Sequence, residues 1–363
     1  MKITDVRAIP LAIPTAADER HSPWWGRHHR QLIVEVHTDE GVVGLGEAFA
    51  LGGQAPVCRF IEDTLKPLVV GHDPTRIEFL ADLMQRSTGG FARRGLGLFG
   101  ISGIEIALWD VLGKVRGVPV YELLGGLSQP RLRAYASLLR YATPSDVATA
   151  CAGRAAQGFT AIKLHQIDVP SVQAAREAVG PDVQIMLDTN CPWTPAEAHR
   201  MARAFEPYDL AWLEEPIWPP EDYDALAALR TVAPMPIALG ENEGTAFGFR
   251  EIVANGAADV LQPSVIKVGG ITEVRKIATL AQAGGVTLVP HSFYFGPGLA
   301  ATLHLAASFA GAAGLVEFPS FGLEVPLLAE PIVAADGTVA PPSGPGLGVS
   351  INPEAVERFP AAL

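Results

Sequence analysis

The sequence predicts a (β/α)8 TIM-type barrel carrying an α+β capping domain. Three observations lead there. The chain has 363 residues, more than one compact core of ordinary size holds, so a large barrel with a smaller partner is the natural division. Eight short apolar, β-branched runs alternate with amphipathic helical patterns over the later two thirds. The first third has a different texture, with strands first and helices after them.

In that first third the alternation begins at Met1-Lys2-Ile3-Thr4-Asp5-Val6. Residues 31–37 alternate as a strand, Asp39-Glu40-Gly41 makes a turn, and residues 42–47 form a second strand. Helical spacing follows over 55–70 and 75–84. A long helix over 100–115 carries Ile104, Ala107, Leu108, Val111 and Leu112. The eight later runs are 133–137, 161–165, 183–188, 211–214, 237–241, 260–264, 286–291 and 314–317. Eight βα units in succession argue for a closed parallel barrel over an open sheet. The Pro- and Gly-rich tail from Ser320 is expected to fold back onto the first domain.

Hydrophobic residues make up 48% and charged residues 18%, which leaves ample material for burial. A net charge of -12 argues against nucleic acid or an anionic membrane as partner. An acidic substrate therefore needs a bound metal, lysine and histidine to reverse the field locally. Cys58, Cys151 and Cys191 are odd in number and lack metal-ligand spacing, so a reducing, cytoplasmic location is expected. The first residues lack a signal-peptide pattern, and no apolar run is expected to reach the roughly 20 residues of a bilayer span.

Polar residues end the apolar runs. Lys163 and His165 end the second, Asp188 the third, Glu214 the fourth, Glu241 the fifth, Ser264 the sixth, His291 the seventh and Glu317 the eighth. Steps of 25, 26, 27, 23, 27 and 26 residues from Lys163 each span one βα unit. Such residues converge on the C-terminal mouth of a barrel. Three consecutive ends, Asp188, Glu214 and Glu241, are carboxylates, and like charges resist joint ionisation. A hard divalent cation removes that conflict, and an all-oxygen set suits magnesium or manganese rather than zinc.

The residues from Leu187-Asp188-Thr189-Asn190 to Leu213-Glu214-Glu215-Pro216 resemble a signature of the enolase superfamily, in its mandelate racemase and muconate-lactonizing branch. Gly240-Glu241-Asn242 resembles the third ligand turn of that branch, and Ser102–Asp110 resembles its other signature. The resemblance covers essentially the whole chain. It implies a capping domain of residues 1–125 with the tail 320–363, over a barrel of 126–319. It also implies Mg2+ (or Mn2+) held by Asp188, Glu214 and Glu241, with Asn190 and Glu215 in support. The implied chemistry is removal of the proton α to a substrate carboxylate, giving an enediolate.

Lys163-Leu164-His165 stands where this branch carries Lys-x-Lys, and alternation points both residues inward. Lys163 is expected to meet the substrate carboxylate, and His165 to serve as base or acid on one face. His291 matches the branch's seventh-strand histidine on the opposite face, and Glu317 its eighth-strand glutamate. The branch pairs that histidine with a sixth-strand aspartate. Here Ser264 takes its place, so His291 is expected to be less basic. Lys267 is expected to point away from the lumen. The segment Ala17–Arg30, with His21, Trp24, Trp25, His28 and His29, is expected to close over the substrate, and Tyr294 and Phe295 to line the pocket.

Dehydration of a sugar acid to a 2-keto-3-deoxy acid is the first expectation, since two unlike histidines supply a base and an acid. Racemisation or epimerisation is second and lactone cycloisomerisation third. From other classes, a Schiff-base aldolase on Lys163 leaves three carboxylates unexplained, and a non-catalytic metal- or ligand-binding relative leaves Lys163, His165 and His291 unexplained. The expected partner is a small carboxylate, and a homo-oligomer is expected.

Overall fold

The computed structural model describes residues 1–16, 28–309 and 314–362. Three antiparallel strands, β1 (Ile3–Pro14), β2 (His28–Thr38) and β3 (Val43–Ala48), form a first sheet. Eight parallel strands follow: β4 (Leu132–Ser137), β5 (Ala161–Leu164), β6 (Gln184–Asp188), β7 (Leu210–Glu214), β8 (Ile237–Leu239), β9 (Val260–Leu261), β10 (Thr287–Leu288) and β11 (Leu315–Pro319). Each pairs with its sequence neighbour from β4 to β10, and β11 returns to pair with β4, as a TIM barrel requires. Among the described residues no ladder joins β10 to β11. At that seam the N–H of Ser292 donates to Glu317 Oε2 at 2.7 Å.

The expected runs and the observed strands agree in place, but β8, β9 and β10 end sooner than 241, 264 and 291. Beyond Leu239, Leu261 and Leu288 the chain leaves the ladder and turns into the mouth, where side chains rather than backbone bonds fix it. The barrel interior is layered. Tyr135, Ala161, Met186, Trp212, Ala238, Val260, Val289 and Leu315 form a buried ring, one from each strand or just past it. Alternation makes the next inward layer Ser137, Lys163, Asp188, Glu214, Gly240, Gln262, His291 and Glu317.

The helix Leu96–Arg116 joins the two parts. It is long and apolar enough to cross a membrane, contrary to the sequence expectation, but it is mostly buried inside the protein. Strand β3 lies directly on it, because Gly44 and Gly46 have no side chain to hold it off: a Cβ at Gly46 would collide with the Gly103 carbonyl oxygen. Gly46→Ala should therefore destabilise the protein by about 1–3 kcal/mol, the usual result of overpacking. Denaturant unfolding checks this, and an unchanged midpoint would show that the strand can lift off.

The polar face of this helix serves the barrel. Glu105 accepts the N–H of Ile271 at 2.7 Å and of Thr272 at 2.9 Å, which caps the N-terminus of the helix Ile271–Gly284. Ser102 Oγ accepts the N–H of Gly269 at 2.8 Å. Asp110 accepts the N–H of Leu45 from β3 and of Leu347 from the tail, both at 2.7 Å. The tail runs back along β1: the N–H groups of Ala12, Ala16, Glu324 and Ala361 bond to Phe359, Gly322, Pro14 and Pro10. A short tail strand, β12 (Thr338–Val339), also pairs antiparallel with β4.

Candidate active site

Of the second interior layer, Lys163, Asp188, Glu214 and Glu317 are fully buried and His291 nearly so, as are His165 and Glu241 just beyond it. Ligand oxygens of Asp188, Glu214 and Glu241 all lie within 4.8 Å of one another. Each carboxylate is held by a donor. Asn190 gives its backbone and side-chain N–H groups to Asp188 Oδ1, both at 3.0 Å. Trp212 Nε1 donates to Glu214 Oε2 at 3.0 Å, and Asn242 Nδ2 to Glu241 Oε1 at 3.0 Å. Glu215 supports this set indirectly, accepting from Asn242 Nδ2 at 2.9 Å. Three converging, braced, buried carboxylates fit a hard divalent cation.

Lys163 sits under this cluster. Its Nζ lies 3.3 Å from Asp188 Oδ2, 3.0 Å from Glu214 Oε1 and 2.9 Å from Glu317 Oε1. Burial disfavours its charge, but the carboxylates outweigh burial and hold the ammonium well above its ordinary pKa. Burial also works against the ionisation of Asp188 and Glu317, yet Lys163 with a nearby histidine brings both below the usual range. Glu214 goes the other way, pushed up by burial and by its anionic neighbours. A cation among the three carboxylates would draw it back down. Glu317 is further fixed by the Ser137 hydroxyl at 2.6 Å.

The two histidines border a cavity of about 130 Å3 between the barrel mouth and the first sheet. Its wall includes His29, Glu47, Phe49, His165, Glu241, Lys267, His291 and Tyr294. His165 Nε2 lies 3.3 Å from Asp188 Oδ2, and His291 Nε2 lies 3.1 Å from Glu241 Oε2. Burial lowers the pKa of His291 against the pull of Glu241 and Glu317. Its Nδ1 has no hydrogen-bond partner among the described residues. Ser264 bridges to His291 through the backbone, and its hydroxyl lies 3.5 Å from that of Tyr294. The Tyr294 hydroxyl in turn donates to the His291 carbonyl at 2.8 Å.

Lys267 differs from its expectation. The chain stops being a strand at Leu261 and turns over 265–269, so alternation no longer governs where Lys267 points. Its Nζ lies 3.2 Å from Glu241 Oε1 and from Asn242 Oδ1, and 4.2 Å over the Phe49 ring. It braces the third carboxylate from the side facing the first sheet. Gln262 was also not singled out. It is fully buried, and neither amide atom has a partner among the described residues. Counting inward positions back from Val260, rather than from the polar run end Ser264, would have found it. Phe293 rather than Phe295 reaches the cavity wall. His28 begins β2, whereas His21, Trp24 and Trp25 lie outside the described residues.

Residues 146–355 match the family described as enolase C-terminal domain-like. Residues 25–125 match the N-terminal domain of mandelate racemase / muconate lactonizing enzyme. The chain is 35% identical to D-galactarolactone cycloisomerase of Agrobacterium fabrum over 99% of both chains. It is 34% identical to arabinonate dehydratase of Saccharolobus solfataricus over 98% of this chain and 99% of that one. The crystal structure of the 3,6-anhydro-D-galactonate cycloisomerase from Zobellia galactanivorans superposes with a TM-score of 0.88 at 31% identity, covering 100% of both chains. With both domain matches, full-length relatives above 30% identity and the same fold, this chain belongs to the mandelate racemase and muconate-lactonizing family of the enolase superfamily.

Proposed function

We propose that this enzyme dehydrates a sugar acid, removing the proton α to its carboxylate and expelling the β-hydroxyl to give a 2-keto-3-deoxy acid. The observation that carries the reading is the pair His165 and His291, from β5 and the end of β10, facing one cavity beside the braced carboxylate triad.

Asp188, Glu214 and Glu241 would hold the metal, most simply Mg2+, with Mn2+ as a substitute. A divalent cation there supplies stabilisation of the negative charge that develops on the substrate carboxylate. His165 takes the α-proton at Nε2, leaving an enediolate whose electron pair then forms the carbon–carbon double bond as the β carbon–oxygen bond breaks. His291 gives its proton to the departing hydroxyl, which leaves as water. The enol then takes a proton at the β-carbon, gives up its hydroxyl proton and becomes the ketone. Lys163 favours the ionised forms of Asp188 and Glu317, and Glu317 holds Lys163 and the Ser292 N–H in place. A cytoplasmic location and a homo-oligomer complete the proposal.

Cycloisomerisation of a sugar lactone is the second reading. It is favoured by full-length identity to a galactarolactone cycloisomerase and by likeness to an anhydrogalactonate cycloisomerase. Both readings use the same first step and differ in the leaving oxygen.

The test is a panel of sugar acids and lactones incubated with magnesium in D2O and followed by proton NMR. A 2-keto-3-deoxy product should form, stop on adding a chelator, return with excess magnesium and be absent with Glu214→Gln. An isomer of unchanged mass would select cycloisomerisation. A chelator-insensitive product would overturn the metal-dependent route.

A further inference from the structure

Glu47 is a buried carboxylate that the mechanism does not use. It lies on β3, is 2% exposed and borders the cavity that holds His165 and His291. Among the described residues no lysine, arginine or histidine pairs with it. The N–H of Gly298, at the start of the helix Pro297–Ser308, donates to its Oε2 at 2.9 Å, and that of Gly296 also faces it. A Cβ at Gly296 would lie 2.8 Å from Oε2, and one at Gly298 3.0 Å from it, so two glycines leave room for this carboxylate. The helix N-terminus compensates part of its charge. Burial still pushes its pKa up to about 7.

Backbone N–H groups serve Oε2, and among the described residues no side-chain donor reaches this acid, so it keeps acceptor capacity on the wall of the cavity. In its ionised form the carboxylate only accepts hydrogen bonds and repels a second carboxylate, so the partner it suits is a hydroxyl. The reacting end of the substrate is fixed at the barrel side, by the carboxylate triad and the histidines. Glu47 enters from the opposite side, on the first sheet. The one arginine on that wall, Arg30, is tied through Nη1 to Gln54 Oε1 at 3.1 Å.

We propose that Glu47 determines specificity by accepting a hydrogen bond from a substrate hydroxyl remote from the reacting carbon. It thereby selects aldonic acids or their lactones over dicarboxylic aldaric acids and over short hydroxy acids. This rests on the sugar-acid reading above.

The experiment compares kcat/KM of wild type and Glu47→Gln, at saturating magnesium, on an aldonate, the matching aldarate and glycerate. Thermal melting and Mn2+ binding by calorimetry serve as fold controls, and Glu47→Asp is a second variant should the glutamine fold poorly. The aldonate-to-glycerate ratio should fall by about 10- to 100-fold in Glu47→Gln, as for a lost hydrogen bond to a charged group. The aldonate-to-aldarate ratio should fall with it. Equal losses on all three acids would assign Glu47 a purely structural role and overturn the proposal, as would unchanged ratios. A wild type that converts no sugar acid would overturn the sugar-acid reading and this proposal together. Conversion by wild type with unchanged ratios in the variant overturns this proposal alone.

Discussion

Lys163→Met should leave a metal-free protein that is less stable than wild type by about 3–5 kcal/mol, the usual result of stripping one partner from a buried ion pair. The reason is geometric. One fully buried ammonium lies within 3.3 Å of Asp188, Glu214 and Glu317, all themselves fully buried. Methionine fills similar volume but leaves three carboxylates to repel one another in a medium that screens poorly. The protein can respond by binding protons or a cation. Added Mg2+ should therefore restore more stability to the variant than it adds to wild type. Denaturant unfolding with and without magnesium measures both quantities. A metal-free loss below about 1 kcal/mol, the size of an exposed pair, would show that Lys163 is not the counter-charge of the site.

Exchanging the two histidines for asparagine should separate the two halves of the reaction. His165→Asn should lower both α-deuterium exchange in D2O and product formation by about 10²- to 10⁴-fold, the range for loss of a general base. His291→Asn should lower product formation over the same range while exchange survives, because the α-proton leaves before the acid is needed. Each histidine touches a proposed ligand without being one, so Mn2+ affinity should fall by no more than about 10- to 100-fold in either variant. Loss of exchange in His291→Asn but not in His165→Asn would reverse the assignment of base and acid.

The metal-type triad was legible in the sequence because a barrel repeats. One βα unit is a fixed length of chain, so polar residues ending successive apolar runs must reach the same mouth. Asp188, Glu214 and Glu241 meet as that spacing requires. Lys267 was not legible, because the two-period rule holds only while the chain remains a strand, and it ceases at Leu261. Gln262 hid for a related reason: the polar end of the sixth run, Ser264, is a rung further up than the strand's own inward position. Glu47 read as the last residue of an ordinary strand. Its importance comes from glycines some 250 residues away, a juxtaposition that no local pattern encodes. The low basicity of His291 follows from its burial, which outweighs the pull of Glu241 and Glu317 and which no run of residues around it spells out.

The carboxylate of Glu105 has an implication for how this molecule can change over generations. It belongs to the first part of the chain but completes the hydrogen bonding of a barrel helix that begins 166 residues later. A chimaera that joins this barrel to a foreign cap without an acid at that position would expose the N–H groups of Ile271 and Thr272 in a dry interface. The two parts are thus coupled in stability as well as through the cavity they share, and a workable cap exchange has to keep an acid at position 105.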